Sequence, residues 1–269
     1  MNNVTRLFDL LPYYAAAFKP KEDALAAKDN GVWIKYSIQD YIKAANNISY
    51  GLMALGIGKG DNIASIAASR PEWNFIDMGI MQTGAVHVPL YPTISEDDYR
   101  FILNHAEIKY IFIPGKEAYR KLEPIIRDIP TLKGVFAIKE TEGVKSLADF
   151  IKSGEQYTDE EKLNKIKDSI ISEDLATIIY TSGTTGDPKG VMLNHSNIIS
   201  NFKECVHILP FGEEGSALSY LPLCHIYERM LNYLYQYAGV SVYYAESIAT
   251  IGDNIKEVKP WVISTVPRL

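Results

Sequence analysis

Hydrophobic and polar positions alternate along this chain in blocks, and the block edges carry local chemistry that sets element boundaries. Ser37 and Asp40 form a capping pair, a mixed apolar run covers 38–55, and Gly56-Ile57-Gly58-Lys59-Gly60 follows, which predicts a helix with a glycine exit. The apolar run 62–68 reads as a buried strand, 71–82 as a helix opened by Pro71, and 85–90 as another strand. Ser95 and Asp98 cap a helix reaching about His105, after which 110–113 is strand-like, 115–128 helical and 135–138 strand-like. Further on, 175–180 and 190–193 read as strands, 196–209 as a helix, 217–221 as a strand, 226–238 as a helix and 240–244 as a strand. A helix near 248–258 and a strand at 261–265 complete the series. Strands alternating with helices predict an α/β fold with largely parallel sheets flanked by helices.

Between about 140 and 173 the chain turns polar and charged, with Asp159-Glu160-Glu161-Lys162 at its centre, and this stretch is the candidate subdomain connection. A solvated helical face is the plain reading of the charge run. Hydrophobic residues make up 47% of the 269, enough to bury a substantial core in one large domain or two smaller ones. A net charge of −6 leaves no basic footprint, so nucleic acid is not an expected partner. Cys205 and Cys224 have apolar neighbours and no metal-ligand spacing, which points away from a disulfide framework or a zinc site and toward a reducing, cytoplasmic setting. The most apolar long window, 75–91, is broken by Asp77, Gly79, Gly84, His87 and Pro89 and does not fit a simple membrane span; peripheral membrane contact stays open.

The strongest chemical signal is Tyr180-Thr181-Ser182-Gly183-Thr184-Thr185-Gly186-Asp187-Pro188-Lys189-Gly190, placed directly after an apolar strand. Glycines let backbone N–H groups approach phosphate oxygens, hydroxyls donate further hydrogen bonds, and a lysine adds a point charge. A plain hairpin connection needs only roughly two to five residues and no such concentration of hydroxyls. The segment is not a Walker loop, which requires glycine before the lysine and Ser or Thr after it: here Pro188 and Gly190 occupy those places, and a strand follows instead of a helix. Gly56-Ile57-Gly58 likewise fails the dinucleotide fingerprint, because it follows a helix and lacks the third glycine.

Residues 180–190 resemble the phosphate-binding signature of the adenylate-forming superfamily: acyl-CoA synthetases, luciferases and the adenylation domains of peptide synthetases. Ser69-Arg70-Pro71-Glu72-Trp73, the run Gly84 to Thr93 and the run Ser219 to Arg229 are similar to family segments in matching order. Tyr91-Pro92-Thr93, His225 to Arg229 and Thr265-Val266-Pro267-Arg268-Leu269 most resemble long-chain fatty acyl-CoA synthetases. The loop itself is shared and does not choose the substrate.

The resemblance implies attack of a fatty acid carboxylate on ATP to give an acyl-adenylate and pyrophosphate, then transfer of the acyl group to coenzyme A, with magnesium assisting. By motif position, Thr181, Ser182, Gly183, Thr184, Thr185, Gly186 and Lys189 would surround the ATP phosphates, with Thr184 also contacting magnesium. His225 would lie beside the acyl and adenylate pocket and position the carboxylate. His87, His105, His195 and His207 are expected to be structural, and Tyr233, Tyr235, Tyr237, Tyr243 and Tyr244 either line a lipid tunnel or simply pack. The resemblance further implies that 1–269 is a partial N-terminal AMP-binding domain, without the ribose-binding, hinge and catalytic-lysine motifs of the later chain and without the C-terminal lid. Little or no synthetase activity is then expected from it alone. An adenylating ligase for another carboxylate, and a short nucleotide-binding module without catalysis, are the alternatives.

Overall fold

The computed structural model describes residues 4–181 and 186–267. Helix α1 (Leu10–Ala17) leads into an antiparallel hairpin of β1 (Leu25–Asp29) and β2 (Val32–Tyr36). Asn30 and Gly31 turn the hairpin with φ of 49° and 80°, the two successive positive values of a type I′ turn. None of these three elements is expected from the hydrophobic pattern: Pro12 interrupts α1, and Leu-Ala-Ala-Lys-Asp is too short an apolar signal. The Asn-Gly pair was the available cue.

Helix α2 (Ile38–Ala54) is closed by the expected reciprocal cap, Ser37 Oγ accepting from the Asp40 N–H at 3.1 Å and Asp40 Oδ2 from the Ser37 N–H at 2.9 Å. Gly56 then takes φ 75°, a left-handed exit that a Cβ would disfavour. The alternation continues through β3 (Asn62–Ile66), α3 (Pro71–Met81), β4 (Val86–Leu90), α4 (Glu96–His105), β5 (Tyr110–Ile113), α5 (Lys116–Ile126) and β6 (Gly134–Ala137). The polar stretch 140–173 forms β7 (Lys145–Ser146), α6 (Leu147–Glu155) and α7 (Glu160–Ser169), and α7 buries only Leu163, as befits a solvated face. Then come β8 (Leu175–Thr181), β9 (Lys189–Asn194), α8 (His195–Cys205), β10 (Ser216–Ser219), α9 (Ile226–Tyr237), β11 (Ser241–Tyr244), α10 (Ile251–Val258) and β12 (Val262–Ile263).

These strands form two sheets. One has the order β7-β6-β5-β3-β4-β8-β9 and is parallel except for β8–β9; the other runs β12-β10-β11-β1-β2 and is parallel except for the β1–β2 hairpin. The fold is therefore α/β with largely parallel sheets. Along β3 and β5 the side chains alternate between faces: Ile63, Tyr110 and Phe112 join the core shared with the second sheet, while Ala64, Ile66, Ile111 and Ile113 join a separate core with α4 and α5.

Helix α3 lies in the interior between the sheets, packing on β3 and β4 on one side and β1 on the other, with every residue except Glu72 buried. Its apolar run reads as a helix hydrophobic all round, which is stable only when buried. A Cβ at Gly79 would come within 2.5 Å of Ile48 Cγ2, so glycine there permits the close approach of α2.

Candidate functional site

The hydroxyl- and glycine-rich segment is the tip of the β8–β9 hairpin, so it leaves the sheet at the carboxyl end of β8, the edge where open α/β sheets bind ligands. Thr181 pairs with Lys189 across the ladder and Tyr180 with Gly190. Residues paired in this way project to the same face, so the Thr181 hydroxyl and the Lys189 ammonium leave the mouth of the loop together. Both are exposed. Gly186 has φ 125°, and no atom lies within 4 Å of a Cβ built there, so it is the backbone conformation that favours glycine. Ser182, Gly183, Thr184 and Thr185 lie outside the described residues.

The base of the hairpin is braced by Tyr180. Its ring covers Gly190, where a Cβ would approach to 3.2 Å, and its hydroxyl is 2.6 Å from His105 Nδ1 at the end of α4. His105 therefore holds the residue just before Thr181 at the mouth of the loop.

His225 is the N-cap of α9, exposed, with Nδ1 accepting a long 3.4 Å bond from the Tyr227 N–H. The turn before it is tied to the seven-stranded sheet by Ser69, which follows β3: Ser69 Oγ donates to the Leu221 carbonyl at 2.6 Å and accepts from the Leu223 N–H at 3.1 Å. Two of the segments that carry the resemblance thus touch. Cys224 is buried, and burial pushes its thiol up to about 12, so it is no nucleophile at neutral pH. Tyr233 and Tyr244 are wholly buried with hydroxyls bonded inside the protein, Tyr235 reaches Ser264, and Tyr237 stacks on Tyr13 at 4.9 Å. These rings pack.

Beneath the two exposed segments lies a buried polar network. Asp77 on α3 accepts from His87 Nδ1 at 2.6 Å and Arg229 Nη2 at 2.5 Å through Oδ1, and from the Tyr233 hydroxyl at 2.5 Å through Oδ2. Arg229 also donates to Thr177 Oγ1 at 2.7 Å and to the Tyr233 oxygen at 2.8 Å, and its guanidinium carbon lies 5.2 Å from the centre of the Trp73 ring. Burial alone would raise the Asp77 carboxyl, but the adjoining Arg229, His87 and Tyr233 outweigh it and hold it below the usual carboxylate range. Burial lowers His87, against the pull of Asp77, leaving a neutral ring whose Nε2 sits 2.7 Å from Ser65 Oγ. His87 is structural, as expected, but it belongs to an ion-pair network that the expectation did not contain. Asp77 within an apolar window was the cue in the sequence.

Glu228, next to Arg229, points the other way. It accepts from Ser219 Oγ at 2.5 Å through Oε1, its Oε2 has no partner, and burial pushes the carboxyl up to about 7. The first turn of α9 is thus bonded to the five-stranded sheet by one residue and to the seven-stranded sheet by the next.

Residues 14–269 match the family model described as AMP-binding enzyme. Fatty acyl-CoA synthetase A of Dictyostelium discoideum is 35% identical over 251 residues, which cover 88% of this chain and 36% of that protein. Peroxisomal long chain acyl-CoA synthetase 6 of Arabidopsis thaliana is 32% identical over 248 residues, 88% of this chain and 34% of that one. The chain spans about a third of the length of these relatives. Among solved structures, a Mycobacterium tuberculosis fatty acyl CoA synthetase superposes with a TM-score of 0.82 at 21% identity, covering 99% of this chain and 50% of that one. An anthranilate CoA ligase in complex with anthranoyl-AMP does so with 0.82 at 21%, covering 96% and 49%. At these identities the superpositions speak to the fold.

Proposed function

The chain belongs to the AMP-binding enzyme family, and we propose that it carries the phosphate-binding loop and part of the acyl pocket of an AMP-forming long-chain-fatty-acid–CoA ligase. In this reading a fatty acid carboxylate oxygen bonds to the α-phosphorus of ATP as the bond to the bridging oxygen breaks and pyrophosphate leaves. The thiolate of coenzyme A then attacks the acyl carbon, and AMP departs.

The observation that carries the reading is the hairpin mouth, where Thr181 and Lys189 share one face beside Gly186 at the carboxyl edge of the seven-stranded sheet. Donors and a fixed positive charge at that edge suit the departing pyrophosphate, whose charge grows as the bond breaks. Thr181, Ser182, Gly183, Thr184, Thr185, Gly186 and Lys189 are proposed to surround the β- and γ-phosphates. His225, exposed at the start of α9, is proposed to position the carboxylate. Magnesium is proposed to enter as the ATP complex, with the Thr184 hydroxyl as its protein contact. It would neutralise phosphate charge.

Fatty acid as the acyl donor is favoured by the names of the relatives at 35% and 32% identity. The fold does not choose the carboxylate, since an anthranilate ligase shares it. A cytoplasmic location with peripheral membrane contact belongs to the same proposal; among the described residues no helix is long and apolar enough to cross a membrane.

The test is carboxylate-dependent ATP–pyrophosphate exchange by the full-length gene product with acetate, octanoate, palmitate, benzoate and amino acids. Exchange greatest with palmitate supports the proposal. Preference for another carboxylate keeps the adenylation and changes the substrate, and no exchange from folded, ATP-binding protein leaves a nucleotide-binding module. Residues 1–269 alone are expected to bind magnesium pyrophosphate with little or no exchange.

A further inference from the structure

We propose that Arg229 is a positioning residue that sets the spacing between the phosphate-loop hairpin and His225, an inference that rests on the preceding assignment of both to one site. Arg229 lies one helical turn beyond His225 on α9, and Thr177 lies four residues before Thr181 on β8. The 2.7 Å bond from the guanidinium to Thr177 Oγ1 joins these elements directly, and Thr177 passes the link on by donating to the His87 carbonyl on β4 at 2.6 Å.

Strand β8 needs such a pin. Its register with β9 shifts between Leu175 and Thr177, and its ladder with β4 registers at the single pair His87↔Thr177. A slip of β8 by one residue against β4, carrying the hairpin with it, would turn the Thr181 and Lys189 side chains to the opposite face. The side-chain bond falls on the residue of β8 that registers with β4, just after the irregularity in the β9 ladder. On the other side, Glu228 holds the same helical turn to Ser219 at the end of β10, so α9 cannot follow β8 if it drifts.

The chemistry of the network points the same way. A buried ion pair is often replaceable by apolar side chains without loss of stability, and the buried cluster on the other face of this sheet is built from aliphatic side chains and Tyr99. Fully desolvated Arg229 and Asp77 therefore bring something packing does not, a directional bond that accepts one register only.

Removing Arg229 would strand Asp77 and can unfold the chain, so the decisive variant is Thr177→Val, which keeps the shape and leaves the Asp77–Arg229–Tyr233 bonds in place. Thr177→Ser, which restores the hydroxyl, is its control. Hydrogen exchange read by mass spectrometry on the unliganded chain should show amides of β9 and of 229–232 in α9 exchanging about tenfold faster in Thr177→Val, with α4 and α5 unchanged. Affinity for magnesium pyrophosphate, measured by calorimetry, should fall about tenfold, the scale of one lost charge-assisted bond. Thr177→Ser should restore both. Wild-type exchange in either segment, acceleration that extends through α4 and α5, or faster exchange with unchanged pyrophosphate affinity would each overturn the inference. If the unaltered chain does not bind pyrophosphate, the phosphate-site reading falls, while the exchange data still decide whether the Arg229–Thr177–His87 link couples the two segments.

Discussion

On the outer face of the seven-stranded sheet, Ala64, Ile66, Ile111 and Ile113 meet Ile102, Leu103, Leu122 and Ile125 of α4 and α5 in a core of aliphatic side chains that also buries Tyr99. On the inner face the same strands present Ser65 and His87 to Asp77, with Asn74, Thr177, Arg229 and Asn232 buried around them. Dispersion and apolar burial hold both layers; in the inner one, hydrogen bonds between desolvated groups also fix distance and angle. Both exposed segments of the candidate site, the hairpin mouth and the His225 turn, are bonded to this inner network, and the hairpin mouth is also braced from the outer layer through Tyr180 and His105.

The largest break in this contrast should come from Arg229→Met, which leaves Asp77 buried without its cation and should cost about 4 kcal/mol in urea unfolding. A double-mutant cycle with Asp77→Asn should then recover part of that cost, because the stranded charge is gone. Leu103→Ala in the outer core should cost on the order of 3 kcal/mol through lost contacts and a cavity, yet leave magnesium pyrophosphate affinity of the folded protein unchanged. A drop in affinity would show that the two cores are not separable.

A smaller effect, on the order of 2 kcal/mol, is expected from pH. Glu228 has its folded pKa raised to about 7, so the stability it contributes is complete below its ordinary value of 4.5 and lost as pH rises through 7. His195, whose Nδ1 accepts the Leu7 N–H at 3.1 Å, is lowered by burial to about 4, so its contribution is complete above its ordinary 6.5 and lost as pH falls through 4. Between those ordinary values Glu228 opposes His195 and the likewise depressed His87, so the wild-type curve should fall only gently toward acid. Glu228→Gln should steepen that fall by removing the opposing slope; a curve no steeper than wild type would refute the assignment. Smallest of all, Glu161→Gln, which breaks the exposed 2.6 Å pair with Lys165 on α7, should stay within about 0.5 kcal/mol.

Much of the fold was legible because its boundaries are local. Ser37 with Asp40, Ser95 with Asp98 and Pro71 mark helix starts within a few residues of chain, and the strands from β3 to β6 fall within two residues of their expected limits. The hairpin tip was legible for the same reason, as a run of special residue types between two strands. The inner network was not: Asp77 and Arg229 lie 152 positions apart, and no periodicity couples them. His87 looked like an ordinary core histidine because its partners arrive from α3 and β3, and the spacing of His225 from the loop depends on α9 packing against the other sheet.

The order of strands in the smaller sheet bears on how the protein is made. The β1–β2 hairpin leaves the ribosome long before its partner in the sheet, since its place is beside β11, with Leu25 against Val242. Every strand of the larger sheet is synthesised in the meantime. At 5–20 residues per second the wait is roughly 10–40 s, and an isolated hairpin is at best marginal in water over that time. Val32 and Ile34, still exposed on the outer edge of the finished sheet, make this waiting segment the one that a nascent-chain chaperone would have to shield.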